Sequence, residues 1–261
     1  PDGSLKIHKS KTHSIGGIIF YINIIIFFLQ DYLFNNNSIF FNKEHLLETL
    51  VLLFSLSFMF LIGLYDDKYF LSYKIKFLLL LLVIIPCLIV DKNLIINNIS
   101  FTFTDKNFYL DYLSIPFTIL CIMLFINALN LFDGIDLQVG TYILFLSLYF
   151  IFELKLLYFI PVFVACIFFL YLNFKKEIFL GDSGSILIGF LISYFCIKSS
   201  QINLIKSDQI FIIMMLPGID MFRLFLVRLL SGKNPFKGDR NHLHNIMIEK
   251  FGYINSFILI Q

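Results

Sequence analysis

The stretch 179-FLGDSGSILIGFLISYFCIK-198 decides what kind of molecule this is. Its GDSG core has the form of a serine-peptidase nucleophile loop, which belongs in a β-barrel with a histidine and a buried aspartate in reach. Here the segment runs straight into a helix-length apolar run, so the peptidase reading fails on its context. What remains is Asp182, flanked by Gly181, Ser183 and Gly184, at the mouth of a membrane-type segment.

The rest of the chain agrees. Of its 261 residues 59% are hydrophobic and only 15% charged, and the mean hydropathy is +0.86, far outside the range of soluble proteins. A helix needs about 20 mostly apolar residues to cross the hydrocarbon core. Such runs fall at residues 15–30, 46–64, 74–90, 114–132, 138–153, 156–173, 184–198 and 209–230, with a ninth beginning near Tyr253. The expected fold is an all-α polytopic integral membrane protein of eight to nine transmembrane helices, forming one domain over residues 1–261. Between the third and fourth runs, ISFTFTDKNFYLDY alternates apolar and polar residues on both sides of Asp105, Lys106 and Asn107, which predicts a small β-hairpin outside the bilayer. Cys87, Cys121, Cys166 and Cys196 all lie in apolar runs without CxxC spacing, as packing residues do. The chain starts at Pro1 and stops inside a new apolar run, SFILIQ, so it is expected to be a fragment truncated at both ends.

Threading the runs alternately through a membrane places fourteen of the 20 Lys and Arg residues on one side. By the positive-inside rule that side is cytoplasmic and the hairpin lies opposite. On the cytoplasmic side three separate loops present Asp66 and Asp67, Asp133 and Asp136, and Asp182, each beside a helix end. Clustered carboxylates repel one another unless protons or a cation intervene, and an oxygen-only set suits Mg²⁺, with Mn²⁺ as the alternative. Around them stand Lys68, Lys74, Lys76, Lys237, Arg240, His242 and His244. Carboxylates that hold a metal, mixed with cations that hold phosphate, are what phosphoryl transfer requires. In NALNLFDGID, Asn127, Asn130 and Asp133 fall three apart, on roughly one helix face. His242 and His244 stand two apart, a loop spacing that fits phosphate contact better than metal ligation. The helix after Asp182 starts at the site, so its positive end also favours phosphate.

With these residues assembled, the chain resembles the polyprenyl-phosphate N-acetylhexosamine-1-phosphate transferases, an integral-membrane superfamily that includes phospho-N-acetylmuramoyl-pentapeptide transferase. The motifs are KIH followed by Gly16 and Gly17, GLYDDKYFLSYKIK, NALNLFDGID, FLGDSGSILIG, PGIDMFRLFLVR and DRNHLHN, in order and nearly end to end. The ending DRNHLHN is similar to the N-acetylglucosamine-1-phosphate branch, whereas the muramoyl-pentapeptide branch carries adjacent histidines.

The resemblance implies transfer of a sugar 1-phosphate from a UDP-N-acetylhexosamine to undecaprenyl phosphate at the cytoplasmic face of a bacterial inner membrane, with release of UMP. It also implies no nucleic-acid partner, and it allows a homodimer. It makes Asp182 the Mg²⁺ ligand, with Asp67 beside the metal. Asp66 and Asp67 position or deprotonate the lipid phosphate, and Asn130, Asp133 and Asp136 hold the nucleotide-sugar. Lys76, Asn127 and Arg240 join the substrate-binding set, His242 and His244 contact phosphate, and His8 matches a basic N-terminal position.

This chain departs from the pattern at two positions. Leu137 stands where the family has Gly after DGID, so the turn is expected to avoid the left-handed conformation, and Asn245 replaces a further His. An ion-coupled transporter, with carboxylates near the midplane of two related halves, and an inactive family member are the competing readings. A CDP-alcohol phosphotransferase lacks its Ala-Arg continuation here.

Overall fold

The computed structural model of the protein describes residues 15–34 and 46–232. Among these, eight helices occupy the eight predicted positions: α1 (Gly16–Phe34), α2 (Leu46–Tyr69), α3 (Tyr73–Val90), α4 (Ser114–Phe132), α5 (Gln138–Phe152), α6 (Ile160–Phe174), α7 (Gly181–Gln201) and α8 (Ser207–Leu230). Five of them, α2, α3, α4 with its preceding turn, α7 and α8, are long and apolar enough to cross a membrane, while α1, α5 and α6 contribute shorter apolar stretches. These lengths make the chain a multi-pass membrane protein; the expected eight to nine crossings would require the shorter helices to span as well. His8, Arg240, His242, His244 and the ninth run lie outside the described residues.

Burial runs against hydropathy. α7 is the least hydropathic of the five long helices, yet 94% of its span is buried, whereas the more apolar α3 and α8 are 22% and 17% buried. A helix wrapped by protein needs no lipid-compatible surface; it needs small residues that let neighbours approach. α7 supplies Ser183, Gly184, Ser185, Gly189 and Ser193 and packs against α1, α2 and α4. A Cβ at Gly17 would lie 2.5 Å from the Gly184 nitrogen, and one at Gly63 would collide with the Ser183 backbone. The four cysteines are free and lie in the apolar interior or partly buried, as expected.

The helix ends segregate. Gly16 and Gly17 donate to the Phe179 and Leu180 carbonyls at 2.9 and 3.1 Å, and the loops after α2, α4 and α6 meet at that same end of the bundle. The opposite end carries the hairpin, strands β1 (Asn98–Phe101) and β2 (Thr104–Tyr109), paired antiparallel with Ile99 opposite Phe108. Its turn is at Thr102 and Phe103 rather than at Asp105, Lys106 and Asn107, which lie within β2. The reason is tertiary: Thr102 donates from both its amide and its hydroxyl to Asp208 in the first turn of α8, which fixes the turn there.

Candidate active site at one end of the bundle

After Glu48 in its first turn α2 carries no charge until its last turn, where Asp66 and Asp67 stand at the negative end of the helix dipole. Carboxylates there are disfavoured unless offset, and each is offset by a different element. Asp66 accepts from the Leu71 amide at 2.6 Å, which ties down the turn into α3, and from the Lys76 ammonium at 2.7 Å. Asp67 accepts from the Asp182 and Ser183 amides at 2.9 and 3.1 Å.

The second contact is a helix cap supplied from a distance. The residue before α7, Leu180, has no capping side chain, and the open N-H groups of a helix start want an acceptor. Asp67 fills that role, so the positive end of α7 is met by a protein carboxylate rather than left for phosphate, which corrects the expectation from sequence. Gly181 makes the turn into the helix with φ +73°, a conformation that costs glycine nothing.

Asp182 is the hub. Its Oδ2 accepts from Lys76 at 2.8 Å and its Oδ1 from the Asn130 side-chain amide at 2.7 Å. The same amide reaches the Ser185 hydroxyl at 2.8 Å. Lys76, in the first turn of α3, therefore bridges a carboxylate of α2 and one of α7. Asn130 brings α4 to the same point. Asn127, one turn earlier, instead donates to the Met123 carbonyl of its own helix at 2.7 Å.

Asp133 ends α4 and Asp136 is buried in the turn that follows. Burial pushes the Asp133 carboxyl up to about 7; the Asp182, Asp67 and Asp136 carboxylates push the same way, and a backbone hydrogen bond from Gly181 opposes them. Among the described residues the site thus carries more negative charge than Lys76 neutralises. Lys68 does not help, since its ammonium lies over the Tyr69 ring at 5.0 Å.

Leu137 corrects a second expectation. It adopts φ +69° and ψ −19°, the left-handed region, at a cost of about 1 to 2 kcal/mol for a residue with a Cβ. Its amide donates to the Asn173 side chain at 2.6 Å and its carbonyl accepts from the Thr141 amide at 2.9 Å. Buried Asn173 also donates to the Ile178 carbonyl at 2.8 Å, so one side chain ties the turn that bears Asp133 and Asp136 to the segment that leads to Asp182. Neither Asn173 nor Ser185 stood out from sequence; the only signal for Asn173 is a lone amide within the run VACIFFLYLNF.

A cluster of acids on three loops, bridged by one lysine at the mouth of a small-residue helix, is matched by comparison with known proteins. The profile of the family described as Glycosyl transferase family 4 matches residues 49–200. The chain belongs to glycosyl transferase family 4. Among the curated relatives that the chain matches, a probable undecaprenyl-phosphate N-acetylglucosaminyl 1-phosphate transferase of Bacillus subtilis is 33% identical over 198 residues, which are 70% of this chain and 54% of the relative. The undecaprenyl-phosphate alpha-N-acetylglucosaminyl 1-phosphate transferases of Salmonella typhi and Escherichia coli K12 are each 27% identical over 271 residues, covering 98% of this chain and 70% of each relative. The aligned region thus spans about half the length of the first of these relatives.

Proposed function

We propose that this protein transfers N-acetylglucosamine 1-phosphate from its UDP-activated form to undecaprenyl phosphate, releasing UMP and starting a lipid-linked glycan. The observation that carries the proposal is Lys76 held between Asp66 and Asp182, with Asn130 on the remaining Asp182 oxygen. A carboxylate-bound ammonium at the end of a membrane bundle is a place where phosphates from lipid and from solvent can meet.

A divalent cation fits this site by its chemistry. The nearby donors Asp66, Asp67, Asn130, Asp133 and Asp182 offer oxygen only, which suits Mg²⁺, and the Asp182, Asp67 and Asp136 carboxylates add to burial in raising the Asp133 carboxyl. Among the described residues no three carboxylates converge as a preformed ligand group, so binding would involve rearrangement around Lys76. Asp182 would hold the ion, with Asp67 behind it through the α7 amides. When bound, the ion would neutralise the diphosphate and polarise the phosphorus under attack.

The remaining chemistry falls to the chain. An oxygen of the lipid phosphate forms a bond to the β-phosphorus of the nucleotide-sugar as the bond from that phosphorus to the bridging oxygen breaks, and UMP leaves with that electron pair. Lys76 moves from carboxylate to phosphate oxygen and meets the charge that develops in line. Asp66, fixed by the Leu71 amide, orients the acceptor phosphate. Asn130 keeps Asp182 turned toward the reacting groups. The positive-inside distribution of Lys and Arg supports an orientation with this end in the cytoplasm and the hairpin on the outer side, all eight helices crossing a bacterial cytoplasmic membrane.

The test incubates the full-length protein with UDP-N-acetylglucosamine, undecaprenyl phosphate and Mg²⁺ and follows UMP. Release that is abolished in Asp182→Ala supports the assignment. No UMP from any UDP-N-acetylhexosamine, or an unchanged rate in Asp182→Ala, ends it.

A further inference from the structure

The three helices that meet at Lys76 meet again at their other ends. Lys198, in the last turn of α7 and only 6% exposed, donates to Asp91 Oδ2 at 2.8 Å, to Glu48 Oε2 at 3.3 Å and to the Tyr194 hydroxyl at 3.1 Å. Tyr194 in turn donates to Asp91 Oδ2 at 2.6 Å. Asp91 is 2% exposed; its other oxygen accepts from the Asn93 amide at 3.0 Å. Glu48 lies in the first turn of α2 and Asp91 terminates α3. At each end, then, one lysine bridges carboxylates from the two other helices: Lys76 of α3 joins α2 to α7 at the site, and Lys198 of α7 joins α2 to α3 about 24 Å away along the helix axis.

Stability alone is a poor reason to bury these charges, because well-packed apolar residues of similar volume are commonly as stabilising. Apolar packing does lack axial definition in a bundle where lipid and leucine are equally good neighbours. Where α7 meets α1 and α2 near the site, the contact is made by Ser183 and Gly184 against Gly17 and Gly63, small residues that offer no large knob to fix its height. A slip of one residue moves a helix about 1.5 Å and turns it by about 100°, enough to take Asp182 out of reach of both Lys76 and Asn130. The near lysine cannot guard against this during turnover, since under the proposed function Lys76 exchanges its carboxylates for phosphate.

We infer that Lys198 is a positioning residue: with Glu48, Asp91 and Tyr194 it sets the axial register of α7 against α2 and α3, and so holds Asp182 and the α7 cap in place while Lys76 is engaged with phosphate. The inference rests on the proposed function for its catalytic consequence, but its structural consequence can be read without activity.

The experiment compares full-length wild type, Lys198→Met, Lys198→Arg, Glu48→Gln and the neutral triple Glu48→Gln/Asp91→Asn/Lys198→Met in lipid nanodiscs. Thermal unfolding, UMP release and hydrogen–deuterium exchange of the peptide 178–187, which contains the capped Asp182 and Ser183 amides, are measured on each. Lys198→Met is expected to lose stability. The triple, with no charge left alone, is expected to recover it, yet to lose at least tenfold in kcat with KM for UDP-N-acetylglucosamine within threefold, and to exchange faster at 178–187. Lys198→Arg should restore most of kcat and the slow exchange. Glu48→Gln removes the charge from the longest contact and keeps the buried Lys198–Asp91 pair, so it reads the same two quantities, each changed by about threefold, should the triple not fold. Wild-type kcat and exchange in the triple, or in Glu48→Gln if the triple does not fold, overturn the inference. If wild type itself releases no UMP the proposed function fails, and exchange at 178–187 still decides the positioning role.

Discussion

Replacing Lys76 by Met tests the centre of the site. The side chain bridges Asp66 and Asp182 at 2.7 and 2.8 Å, and the three side chains are 14%, 8% and 34% exposed. Breaking a buried ion pair by removing one partner costs about 3 to 5 kcal/mol, because the other charge stays behind. Asp182 is a third exposed and solvent screens part of its charge, so about 2 to 3 kcal/mol is the working figure. For a chain of this size that corresponds to a fall in Tm of roughly 4 to 12 °C. The loss in kcat should be larger, about a hundred- to a thousandfold, as when one preorganised donor to a developing oxyanion is removed. The two effects separate in Lys76→Met/Asp66→Asn, which leaves only Asp182 of the two bridged carboxylates, paired with Asn130, and should regain much of the Tm without regaining activity. Unfolding is followed by differential scanning fluorimetry in detergent and turnover by UMP release. A Lys76→Met protein with kcat within threefold of wild type would refute the reasoning, whatever its stability.

Other consequences are more local. Leu137→Gly should relieve left-handed strain and raise Tm by about 2 to 4 °C, from about 1 kcal/mol of net gain, while Leu137→Ala, which keeps a Cβ at φ +69°, should not; equal effects of the two would remove strain as the cause. Because the Asp133 carboxyl is raised to about 7, the folded state holds its proton more tightly than the unfolded chain does. That contribution to stability is complete below an ordinary carboxylate pKa near 4 and is lost as pH climbs through 7, so Tm in the presence of chelator should fall between pH 5 and 7.5 and flatten in Asp133→Asn. Pro217 has no N-H to give the Ile213 carbonyl four residues before it, and the Tyr142 hydroxyl donates there instead at 2.8 Å. Tyr142→Phe should therefore cost about 1 kcal/mol in wild type and almost nothing in the Pro217→Ala background; the same loss in both backgrounds would show that the hydroxyl does something else.

Gly63 and Gly17 illustrate how far local sequence reaches. GG and GLYDD motifs marked positions worth noticing, but that both glycines exist to let α1 and α2 close upon Ser183 and Gly184 is a property of the crossing. The acid set was legible for a different reason. Three separate loops at one end each present carboxylates, so Asp66, Asp67, Asp133, Asp136 and Asp182 stand out against their apolar surroundings without any knowledge of contacts. By charge alone Lys76 stood among several lysines, although the sequence reading placed it in the substrate-binding set, and Asn127 looked as good as Asn130. Rotation of each helix about its axis chose between them, sending Asn130 to Asp182 and Asn127 back to its own helix.

By itself the sequence determined the eight helices of the described residues, their approximate limits, the hairpin and the acids that gather at one end of the bundle, because hydropathy and alternation are written among adjacent residues. Only tertiary structure decided that Asp67 caps a helix 115 residues away, that Leu137 is held left-handed by Asn173, and that Lys198 answers Lys76 at the far end of the same three helices. Those outcomes depend on the axial height and rotation of one apolar helix against another, and runs of Leu, Ile and Phe fit many heights and rotations almost equally well. The few polar contacts select one.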